Sequence, residues 1–136
     1  MKTSFPYYLA NRPQHSKSLL DVTDKFTGET AFQVSIADKA AISEAISAAQ
    51  RAEKEMKKLP TYVRQRILNH CIEKFTQRAS EFAEVLCIEA GKPIKDARGE
   101  VSRLIDTFRI AAEECPRLYG EVMPLDISER ARNYQG

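Results

Sequence analysis

The stretch Gly91-Lys92-Pro93-Ile94-Lys95-Asp96-Ala97-Arg98-Gly99-Glu100-Val101-Ser102-Arg103-Leu104-Ile105-Asp106-Thr107-Phe108-Arg109-Ile110-Ala111-Ala112-Glu113-Glu114-Cys115 decides how this 136-residue chain is read. Ile94, Ala97, Val101, Leu104, Ile105, Phe108, Ala111, Ala112 and Cys115 recur at three and four residues, which makes one apolar stripe along a helix. Gly91 has no Cβ and suits the left-handed residue that ends a preceding helix. Pro93 suits the first turn of the next one, where its missing N–H would have had no partner. Pro116 kinks the helix or marks its last turn, and Gly120 with Pro124 closes the region.

Working back from Gly91, Ser80 is expected to recap the chain for a short helix carrying Phe82, Val85, Leu86 and Ala90. Before it, a helix opens near Thr61 and places Val63, Ile67, Cys71 and Phe75 on one face, with Leu68 and Ile72 beside them. Pro60 separates that helix from an earlier one whose stripe is Ile42, Ala45, Ile46, Ala49, Ala52, Met56 and Leu59. Asp38 starts it, because a carboxylate there accepts hydrogen bonds from free first-turn amides. Further back, Leu19-Leu20-Asp21-Val22-Thr23, the turn Asp24 to Glu29 with Gly28, and alternating Phe32, Val34 and Ile36 spell a β-hairpin. Residues 1–18, with Pro6 and Pro13 and no periodicity, read as an extended arm lying on something else or disordered. Residues 128–136 read as the start of a strand that is cut off. The expected fold is therefore mainly α with a short N-terminal β-hairpin, its body spanning residues 19–127.

Composition bounds the partners. Hydrophobic content of 43% and charged content of 29% allow one ordinary core. The 21 Lys and Arg against 19 Asp and Glu leave a net charge of +2. These charges are interspersed, whereas nucleic acid binding needs a concentrated positive face, so no nucleic acid partner is expected. No apolar run approaches ~18 residues, so no membrane span is expected either. The three cysteines form no CxxC pair and fit a reducing, cytoplasmic setting.

Each residue able to do chemistry has a plainer role. Cys71, Cys87 and Cys115 fall on or beside apolar stripes, where a thiol behaves as a small hydrophobe with little thiolate. His70 adjoins Cys71, but neighbours on a helix point about 100° apart and cannot share a proton or a metal ion. His15 stands alone in the arm, and no set of ligands has metal-binding spacing. Glu113-Glu114 and the pair Asp96 and Glu100 are candidate acid/base carboxylates. Lys92, Lys95, Arg98 and Arg103 surround the second pair, which points to a solvated ion-pair network. Gly91-Lys92-Pro93 superficially suggests a phosphate loop, yet the chain has only five glycines and no glycine run. No catalytic, cofactor-binding or metal-binding residue is assigned.

The string Glu89-Ala90-Gly91-Lys92-Pro93, followed by Asp96-Ala97 and Glu100, resembles the N-terminal helical region of the aldehyde dehydrogenase superfamily. Thr27-Gly28-Glu29 resembles the turn of that family's first hairpin, and Ala45 to Ala49 its alanine-rich first helix. Arg64 with Ile67 and Leu68 resembles the helix after it, and Gly120-Glu121 the turn before its long strands. The resemblance implies the N-terminal helical part of an α/β fold, truncated before the cofactor-binding sheet. It also implies a parent enzyme that oxidises an aldehyde to an acid with NAD or NADP, through a cysteine nucleophile and a glutamate base. Those residues and the glycine-containing cofactor loop follow the matched region in the family, so none is carried over and the fragment is expected to bind no cofactor. The wording from Val101 to Glu114 resembles branches acting on small hydroxylated or phosphorylated aldehydes, but the sequence names no substrate.

Cut away from such a sheet, the three stripes are expected to bury one another in a repacked bundle or to drive self-association. The competing reading is a stand-alone α-helical adaptor. It would call for a capped last element, whereas Tyr134-Gln135-Gly136 is an uncapped strand-like run.

Overall fold

The computed structural model describes residues 3–121 and 128–131. Strand β1 (Ser4–Phe5) is followed by a small hairpin of β2 (Tyr7–Leu9) and β3 (Arg12–Gln14). Then come β4 (Leu19–Thr23), β5 (Thr30–Ser35) and four helices: α1 (Lys39–Lys58), α2 (Thr61–Gln77), α3 (Ala79–Ala90) and α4 (Ile94–Glu114). Two 3-10 turns, Cys115–Arg117 and Glu129–Ala131, complete the described elements.

The β4–β5 hairpin forms as read, antiparallel from Leu19↔Ser35 to Thr23↔Thr30, with an irregularity between Val22 and Thr23. Its turn is organised by Asp24, whose carboxylate accepts from the backbone N–H of Phe26 at 2.8 Å and of Thr27 at 3.2 Å. Gly28 supplies the positive φ of 77° that this tight path needs.

The arm carries three short strands. β1 adds to β5 in parallel, pairing Ser4 with Gln33 and Phe5 with Val34, so the sheet runs β1-β5-β4. The Phe5 and Phe32 rings meet edge to face at 5.4 Å. β2 and β3 turn through Ala10 and Asn11, both at positive φ (48° and 63°), the backbone of a two-residue hairpin turn. Alternation has no room to show in strands of two or three residues, and no glycine marks the turn. The expected strand over residues 128–136 also differs where it is described: Glu129–Ala131 is a 3-10 turn. The rest of that segment lies outside the described residues.

The helix boundaries follow local chemistry. Asp38 caps α1 by accepting from the Ala41 N–H at 2.8 Å. At the other end, Arg64 of α2 donates to the carbonyls of Leu59 at 3.1 Å and of Met56 and Lys57 at 3.0 Å. One guanidinium thus satisfies the free acceptors of the preceding helix across the Pro60 corner. α3 begins at Ala79, without the expected Ser80 cap. Arg78 instead bends the chain and forks onto Glu81, at 2.8 and 2.6 Å. Gly91 ends α3 at φ 66°, and a Cβ there would lie 2.9 Å from the Cβ of Lys25. The Lys25 N–H donates to Ile88 O at 3.2 Å, so the hairpin tip is bolted to the end of α3.

α4 packs against both α2 and α3. Ala83, Ala97 and Val101 are buried, with Phe82, Leu86, Cys87 and Ile105 packed around them. Phe75 of α2 meets Phe82 at 5.6 Å and Phe108 at 4.9 Å, edge to face. Ala112 and Cys115 continue the seam. α1 stays outside it. No α1 residue is buried, and Ile42, Ile46 and Met56 are 53%, 57% and 54% exposed. Of the three stripes, those of α2 and α4 therefore pack on each other, with the buried residues on α4, while α1 touches mainly β2.

Candidate functional site

The candidate carboxylates separate in space and in role. At the start of α4, Lys92 Nζ lies 2.9 Å from Glu100 Oε1, and Arg103 Nη1 approaches the same oxygen at 3.7 Å. The Lys92 hydrogen bond, followed by the Arg103 charge, holds the Glu100 carboxyl below its ordinary range, outweighing partial desolvation. A carboxylate kept ionised in this way is the reverse of a general acid near neutral pH. Asp96 joins the same open groove with Lys95, as the surrounding basic residues led one to expect. Glu114 is turned to Arg117 at 2.6 Å and makes no pair with Glu113.

The cysteines are free and do not meet. Cys71 and Cys87 are half-buried, and Cys115 is buried with its thiol donating to Ala111 O at 3.4 Å. His70 and Cys71 border a shallow groove with Arg66 and Ile67, a mixed lining that gives neither a proton relay partner. Among the described residues, no three of His, Cys, Asp and Glu gather at metal-binding distance. No described helix is long and apolar enough to cross a membrane.

A dinucleotide needs a glycine turn that lets its pyrophosphate approach the free amides of a helix N-terminus. Among the described residues no glycine leaves such an opening at a helix start. Gly91 is the only described glycine near a helix start, and the space its missing Cβ leaves is filled by Lys25. Gly99 lies within α4, Gly28 in the hairpin turn, and Asp38 takes the Ala41 amide in the first turn of α1. Two joints escaped the sequence reading, the Arg64 clamp and the Arg78–Glu81 fork. Both are structural, and their only sequence signal was a basic residue just past a helix end.

The described residues build a hairpin bolted to a helical layer, with Asp38, Arg64, Arg78 and Glu100 engaged in caps and ion pairs. The model of the aldehyde dehydrogenase family matches residues 12–135, and the chain belongs to that family. It is 34% identical over 114 residues to a 3-sulfolactaldehyde dehydrogenase of Priestia aryabhattai, covering 84% of this chain and 24% of the relative. Its fold superposes on aldehyde dehydrogenase 21 of Physcomitrella patens, solved in complex with succinate, with a TM-score of 0.91 and 43% identity. That match covers 97% of this chain and 28% of the other. A glyceraldehyde-3-phosphate dehydrogenase of Methanocaldococcus jannaschii, complexed with NADP, matches with a TM-score of 0.76 and 36% identity over 79% of this chain and 24% of that one. The chain thus spans about a quarter of the length of these relatives.

Proposed function

We propose that this chain is the N-terminal fragment of an NAD(P)-dependent aldehyde dehydrogenase, whose full-length form oxidises an aldehyde to a carboxylic acid. On its own the fragment is catalytically inactive and binds neither nucleotide. The observation that carries this reading is the content of the matched quarter: Lys25 fills the space beside Gly91, the one described glycine near a helix start, Asp38 caps the start of α1, and Glu100 is held in ion pairs. The relatives named for sulfolactaldehyde and glyceraldehyde 3-phosphate favour a short polar aldehyde for the parent enzyme. The free cysteines and interspersed charge support a cytoplasmic protein with no nucleic acid or membrane partner.

The purified 136-residue chain, mixed with glyceraldehyde 3-phosphate or lactaldehyde and either nucleotide, is expected to form no reduced coenzyme above the uncatalysed rate. Calorimetric titration with NAD or NADP is expected to give only dilution heat. Saturable heat with either nucleotide would overturn the inactive-fragment reading.

A further inference from the structure

We draw no further inference here: the strongest candidate, the exposed apolar face of α1 carrying Ile42, Ile46 and Met56, carries no proposal because nothing in the structure shows what covers it.

Discussion

α1 and α4 carry almost the same pattern in sequence and meet opposite fates in structure. Each is about twenty residues long, with apolar side chains returning at three and four positions. α4 buries Ala97, Val101 and Ala112 between α2 and α3, whereas α1 buries nothing. Periodicity states that a helix has a face to cover. It does not say what covers it. The cover is decided by chain geometry: the short Gly91-Lys92-Pro93 corner folds α4 back onto α3, while the Pro60 corner and the Arg64 clamp swing α1 away from the helical layer.

The largest expected effect tests this contrast directly. Val101 is 4% exposed, and Val101→Asp would place an unpaired carboxylate between α3 and α4, at a cost of about 3 kcal/mol or more. Ile46→Asp, on the open face of α1, is expected to change monomer stability by no more than about 0.5 kcal/mol. Urea unfolding at low micromolar concentration measures both. Comparable losses at the two sites would break the comparison, because α1 would then have to be part of the core.

A smaller effect sharpens it. Without packing, α1 depends on its ends, and Asp38→Ala removes the acceptor for the Ala41 N–H at a cost of about 1 kcal/mol. The loss is expected to stay local, so amide exchange in the first turns of α1 quickens while α4 keeps its protection. Uniform quickening in both helices would show instead that α1 unfolds only with the whole chain.

What was legible in the sequence was local. Asp38, Pro60, Gly91 and Pro93 each act on their own few residues, and each marks a real boundary. Glu100 was readable as a salt-bridged residue because Arg103 follows three positions later on the same helix and Lys92 sits just ahead of it. What escaped depended on distant partners. β1 exists because Ser4 and Phe5 find Gln33 and Val34, about thirty positions on, and nothing in a two-residue strand announces that pairing. The Ala10-Asn11 turn adopts positive φ without glycine, and the start of α3 is set by the Arg78–Glu81 fork in place of a serine cap.

The smallest expected effect lies at the exposed corner of α4. The folded state holds Glu100 below the ordinary glutamate range, chiefly through the Lys92 hydrogen bond and then the Arg103 charge. A depressed acid contributes stability that is present above its unfolded pKa of about 4.3 and is lost as pH falls through the folded value. Glu100→Gln is therefore expected to lower the thermal midpoint slightly at pH 7, by less than Asp38→Ala does. The gap should narrow as pH drops below the usual carboxylate range and close once the acid is protonated in both states. Because the group is open to solvent, concentrated salt should also shrink the gap at pH 7. A difference that stayed constant from neutral to strongly acidic pH would mean that Glu100 stabilises α4 through side-chain packing, and that the ion pairs across the Pro93 corner contribute nothing measurable.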